Sequence, residues 1–212
     1  MKLVALYSPV PQSGKSTVAR YLISKGWKCI SFSTPLKRML EPVLRSLGYV
    51  DTEIFEMLYG ADKEKLISVL GNKTTRQLMQ TLGTDWGRNL VYQDLWILCW
   101  KGEVQQAMKN GHNVVTDDLR FLNEMEAVRS LQGKCWWIDR PVGANTYGHA
   151  SEGALNDYYD QFDAVIHNNH DIEVLNAKLD LHLDDPNLRQ VTMNIDGIAR
   201  ATFEIPKDAE AT

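Results

Sequence analysis

Hydrophobic positions along this chain follow two periods in alternation. Five short apolar runs, at residues 3–7, 28–32, 112–116, 135–139 and 163–167, have the length and composition of buried strands. Between them, apolar side chains recur every three to four positions. That spacing predicts helices over about 15–25, 122–131 and 172–181, the first with Val18, Leu22 and Ile23 on its inner face. Strands alternating with helices predict an α/β fold, a mostly parallel five-stranded sheet flanked by helices. Residues 34–111 interrupt the alternation. They carry Leu, Met and Trp at helical spacing and no convincing strand, so a helical insertion resembling a substrate-binding subdomain is expected there. A polar, glycine-containing loop at about 140–153 lies where a mobile lid would close. The core domain is read as residues 1–183. In the 184–212 extension, Val191–Ile195 and Ile198–Ile205 flank Asp196-Gly197, a hairpin signal. This hairpin suits either a cover for the sheet or a contact between two copies in a homodimer.

The first apolar run leads directly into Ser8-Pro-Val-Pro-Gln-Ser-Gly-Lys-Ser-Thr17, and a helical pattern follows. Strand, tight loop and helix in that order form a phosphate-binding loop, or P-loop. Backbone N–H groups around Gln12, Ser13, Gly14, Lys15, Ser16 and Thr17 would cradle a polyphosphate at the positive end of the helix. Lys15 would reach the β- and γ-phosphates, and the Ser16 hydroxyl would coordinate Mg²⁺. The substrate class is then a nucleoside triphosphate. The usual pattern opens with glycine six positions before the lysine. Here that position is Pro9, followed by Pro11, so the loop is stiffer and has fewer N–H donors.

Val114-Val-Thr-Asp-Asp-Leu-Arg120 ends an apolar run in acid, where P-loop enzymes place a Mg²⁺-holding carboxylate. Strand alternation would aim only one of Asp117 and Asp118 at the phosphates; both could equally cap the next helix. In the insertion, Arg76 and Gln80 are four apart and share a helix face, with Leu78, Met79 and Leu82 turned to a core. Arg88 follows a Gly-Thr-Asp-Trp-Gly break containing Trp86. Two arginines, an amide and an indole could clamp a nucleotide, and they read equally as a solvated face with a structural Trp. In the lid, Arg140 could stabilise charge on a transferring phosphoryl group, while His149 and Glu152 sit at a helix start. Asn168 follows the last strand, where loops contact the base of a bound triphosphate by fold analogy; Asn is also a plain turn residue.

Composition narrows the partners. At 212 residues the chain suits one substantial core, and a net charge of −4 provides no basic field for nucleic acid or an anionic membrane. Three scattered cysteines, Cys29, Cys99 and Cys135, read as reduced buried thiols in a cytoplasm-like compartment. No secretory leader and no membrane span are expected. Six tryptophans are present, and the grouping of Trp86, Trp96 and Trp100 suggests an aromatic cluster. A GTPase-type Asn-Lys-x-Asp motif is not matched; the nearest stretch, Asn72-Lys-Thr-Thr75, lacks the Asp.

Over most of residues 1–182 the chain resembles the bacteriophage deoxynucleoside monophosphate kinases. The resemblance is carried by Ser31-Phe-Ser-Thr-Pro-Leu-Lys37, Arg76-Gln-Leu-Met-Gln-Thr-Leu-Gly-Thr-Asp-Trp-Gly-Arg88, Thr116-Asp-Asp-Leu-Arg-Phe-Leu-Asn-Glu124 and His149-Ala-Ser-Glu152. It implies a P-loop kinase fold and transfer of the γ-phosphoryl of ATP, with Mg²⁺, to a deoxynucleoside 5′-monophosphate. In that reading Lys15, Arg120 and Arg140 are catalytic, and Ser16 with Asp117 or Asp118 places the metal. Lys37, Arg76, Gln80, Trp86, Arg88, Asp118, His149 and Glu152 serve the acceptor. A kinase acting on a hydroxymethylated pyrimidine and a P-loop nucleotide switch without an acceptor are the rival readings.

Overall fold

A computed structural model describes residues 1–140 and 153–184, together with the backbone of Thr192–Met193 and Ala199–Arg200. Two compact units divide the chain, residues 1–30 with 105–212, and residues 31–104.

The first unit contains a five-stranded parallel sheet in the order β2-β5-β1-β6-β7. Its strands are β1 (Leu3–Tyr7), β2 (Lys28–Cys29), β5 (Val114–Thr116), β6 (Lys134–Asp139) and β7 (Ala164–His167). β1 is central and buried along its whole length. Helices α1 (Lys15–Ser24), α6 (Leu122–Ser130) and α7 (Ile172–Asp184) belong to the same unit. Val18, Ala19 and Leu22 of α1 join Val4, Leu6, Ile138, Ile166 and Leu179 in its core. Ile23, expected inside, is 45% exposed: it lies about 100° around the helix from Leu22.

β2 is shorter than the predicted 28–32. Ile30 still donates to Val115 O at 2.9 Å, but Ser31 then turns the chain, its N–H donating to Thr34 Oγ1 at 3.0 Å. Phe32 instead packs its ring 4.3 Å from that of Trp100.

The second unit holds α2 (Thr34–Ser46), α3 (Asp51–Leu58), α4 (Thr75–Gln80) and the first turns of α5 (Leu95–Lys109) around a core that includes Leu40, Leu44, Met57 and Trp96. It also contains strands, contrary to expectation. β3 (Leu66–Ile67) and β4 (Lys73–Thr74) form an antiparallel ribbon of two residues each, too short to leave a period in the sequence. Nor does the chain break before Arg88. Thr81–Val91 is a continuous π-helix, carrying on from α4. Trp96 explains this: its indole N–H donates to Gly83 O at 2.8 Å, and a Cβ on Gly87 would lie 2.5 Å from the same ring. Of the tryptophans expected to cluster, Trp86 lies 6.2 Å from Trp96, and Trp100 lies against Phe32.

Thr192–Met193 and Ala199–Arg200 pair antiparallel as β8 and β9, a two-stranded sheet where a hairpin is expected. The rest of that hairpin lies outside the described residues. All three cysteines are thiols rather than disulfides, but only Cys135 is buried; Cys29 and Cys99 are exposed, so the expectation of buried thiols fails for both. Among the described residues no helix is long and apolar enough to cross a membrane.

Candidate active site

β1 delivers the chain into residues 8–14, and Gly14 turns it into α1. Gly14 has φ 102°, a conformation costly for any residue with a Cβ. No side chain caps α1 and no acid lies in its first turn, so the helix itself supplies no carboxylate to its positive end. Ser13 is 1% exposed, and its Oγ has no hydrogen-bond partner. A buried hydroxyl in that state calls for a partner, and a phosphate oxygen can serve as one. Lys15 and Thr17 are half-buried at the helix start; Ser16 and Gln12 are exposed. In the proline-containing front of the loop, the Val10 N–H turns toward Ser8 Oγ at 3.4 Å, and Gln12 takes a φ of 56°.

Ala5 of β1 pairs with Thr116 of β5, so Asp117 and Asp118 leave the sheet at the end where the P-loop begins. β5 stops at Thr116, whose hydroxyl donates to Ile30 O at 2.8 Å. Both acids therefore lie beyond the strand, where alternation does not sort them, and both are half-buried. Glu124 caps the start of α6: its Oε2 accepts from the N–H groups of Arg120 (2.8 Å) and Phe121 (3.1 Å). Arg120 is exposed at this turn.

Together the Ser16 hydroxyl and the two carboxylates offer hard oxygen ligands suited to Mg²⁺. Among the described residues, no group of three or more His, Cys, Asp or Glu could hold a metal alone. A Mg²⁺ shared with substrate phosphates and water needs no such cage, so the donor set fits.

At the next strand ends, Arg140 donates to Gln12 O at 3.3 Å and the Asn168 amide donates to Ser13 O at 2.8 Å. Asn168 thus faces the P-loop backbone, where a base contact was expected. His167 Nδ1 lies 2.8 Å from Asp139 Oδ2, and the Asn168 N–H donates to Asp139 O at 2.6 Å. Neither Asp139 nor His167 was singled out from sequence, because they meet only through the β6–β7 register. Lys178, also missed, carried a signal: a cation on the inner face of a helix.

In the second unit, Arg76 and Gln80 are exposed one turn apart on α4, and Arg76 pairs with Glu64. Trp86, 40% exposed, and Arg88, half-buried, continue along the π-helix. Lys37 on α2 sits 4.9 Å over the ring of Tyr59, whose hydroxyl donates to Glu41 at 2.8 Å. Burial and that hydrogen bond push the Tyr59 hydroxyl up to about 12, so it stays a neutral donor. His149 and Glu152 lie outside the described residues.

A sequence-family model described as deoxynucleotide monophosphate kinase matches residues 46–179, more than half of the chain. The chain belongs to the deoxynucleotide monophosphate kinase family. The match takes in Arg76, Gln80, Trp86, Arg88, both aspartates and Asn168, while the P-loop lies ahead of it. A protein of Acanthamoeba polyphaga mimivirus, named provisionally as a deoxynucleotide monophosphate kinase, is 29% identical to this kinase over 173 residues, covering 76% of this chain and 86% of its own. Two solved structures share the fold, each with a TM-score of 0.50. Dephospho-CoA kinase from Campylobacter jejuni is 16% identical over 88% of this chain and 100% of its own. TT1252 of Thermus thermophilus is 17% identical over 87% of this chain and 97% of its own. The kinase accordingly has a P-loop kinase fold, and its P-loop occupies the strand-to-helix turn that this fold provides.

Proposed function

We propose that the protein transfers the γ-phosphoryl group of ATP to the 5′-phosphate of a deoxynucleoside monophosphate, giving the diphosphate. The observation that carries this reading is the uncapped start of α1 beside the unpartnered Ser13 hydroxyl, in a chain of this kinase family. The acceptor is already an anionic phosphate at neutral pH. No strong general base is required, and the work is alignment and charge neutralisation. Lys15 and the backbone of residues 12–17 hold the donor phosphates. Ser16, with Asp117 or Asp118, would hold Mg²⁺, which when bound neutralises charge on the phosphoryl oxygens. Arg76 and Arg88 are assigned to the acceptor phosphate, with Gln80 and Trp86 framing its base. The Arg76–Glu64 pair is exposed and therefore weak, so an incoming phosphate can replace the carboxylate. Arg120 and Arg140 are assigned to charge on the group in flight, and Lys37 to the acceptor side.

A screen of the common ribo- and deoxynucleoside monophosphates and their 5-hydroxymethylpyrimidine analogues, with ATP and Mg²⁺, tests this directly. ADP formation should depend on a deoxynucleoside monophosphate. Turnover only with hydroxymethyl analogues, or phosphate release indifferent to any monophosphate, would overturn it. Arg76→Ala should raise the KM for the monophosphate at least about tenfold, the loss of one charged hydrogen bond, with KM for ATP within about twofold. Equal rises in both would remove Arg76 from the acceptor site.

A further inference from the structure

Lys178 is a lysine where an apolar residue is expected. It shares the buried face of α7 with Leu175 and Leu179 and is 3% exposed. Among the described residues its ammonium donates to His167 O at 2.7 Å and to Asn169 Oδ1 at 3.2 Å. Both acceptors are neutral oxygens of the same β7–α7 turn. A charge taken out of water for neutral partners is costly, and burial lowers the pKa of this lysine. Leucine or methionine would fill the same space without that cost, so the question is what the turn gains.

Asn168, the central residue of the turn, supplies the answer. Its side-chain amide donates to Ser13 O, and a Cβ placed on Gly14 would come within 2.3 Å of its Nδ2. The turn is thus pressed against the P-loop at the residue where the loop enters α1. From the other side it is held by Asp139, which accepts from the Asn168 N–H and faces His167 Nδ1 at 2.8 Å. Arg140, next in sequence, donates to Gln12 O. Two consecutive P-loop carbonyls, at Gln12 and Ser13, are therefore gripped from the ends of β6 and β7.

We propose that Lys178 is a positioning residue for the P-loop: it fixes the His167–Asn169 turn, and through Asn168 it sets the geometry of Ser13 and Gly14. Lys178 lies beyond that turn and acts on nucleotide binding at one remove. The kinetic part of the test rests on ATP being the donor; the structural part does not.

Lys178→Met keeps the length and apolar stem of the side chain while removing the ammonium, and Asn168→Ala removes the final contact. In the nucleotide-free protein, both should speed hydrogen exchange in peptides covering residues 8–18 by about tenfold or more, while peptides from β1 and α6 change less than about twofold. In kinetics, each should raise KM for ATP by about the same factor with KM for the monophosphate nearly unchanged. The double variant should be no worse than the poorer single one, because the two residues act in series. Unchanged exchange over 8–18 overturns the proposal, whatever the donor nucleotide proves to be. So does exchange raised throughout the chain, which marks a general packing role, or additive effects in the double variant.

Discussion

At the residue scale, local conformation limits the P-loop more than side-chain chemistry does. Lys15→Ala should lower kcat by about 100-fold or more, the scale of losing one preorganised donor to a transition-state charge, with an unchanged circular dichroism spectrum. Near-normal turnover would remove Lys15 from the donor site. Gly14 illustrates what is legible in a sequence. That this position needs glycine follows from the loop pattern and its φ of 102°; the Asn168 amide, 2.3 Å from where a Cβ would stand, adds a close neighbour from far away in the chain. Cys135 gives a pH test. Burial raises its thiol from an ordinary 9.0 to about 12. The thiolate is the reactive form, so at pH 8 iodoacetamide should label Cys29 and Cys99 in the native protein, and Cys135 only after denaturation. The sign for stability follows. Between about 9 and about 12 the unfolded chain releases this proton while the folded chain keeps it, so stability should fall as pH rises through that window. Rapid native labelling of Cys135 would contradict its burial.

Among the elements, those with strong periodicity were legible and those shaped by distant contacts were not. Apolar runs such as Leu3–Tyr7 and helices such as α6 were visible because burial imposes a regular pattern. The π-helix at Thr81–Val91 was read as a break, since two glycines and a threonine near an aspartate look like a turn. What keeps it helical is Trp96, which lies beyond the segment and accepts the bare face of Gly87. Gly87→Val should therefore push the indole aside. A loss of about 1–3 kcal/mol, typical of overpacking, is expected in chemical denaturation, with a shift in tryptophan fluorescence. A neutral result would show that the π-helix does not depend on this contact. Asp117 and Asp118 follow an apolar strand, as the sequence indicates, but alternation does not distinguish them because the strand ends at Thr116.

At the scale of the whole molecule, the chain divides its candidate chemistry between its two units. Lys15, Ser16, Asp117, Asp118, Arg120, Arg140 and Asn168 belong to the sheet-containing unit, and Lys37, Arg76, Gln80, Trp86 and Arg88 to residues 31–104. The proposed reaction makes use of both sets, one for each nucleotide. The most direct test follows the phosphoryl group itself. With γ-³²P-labelled ATP, Mg²⁺ and a deoxynucleoside monophosphate, the label should appear in the β-phosphate of the deoxynucleoside diphosphate, one for each ADP formed. Label recovered only as inorganic phosphate, or ATP left intact, would contradict the assignment of this protein as a kinase of deoxynucleoside monophosphates.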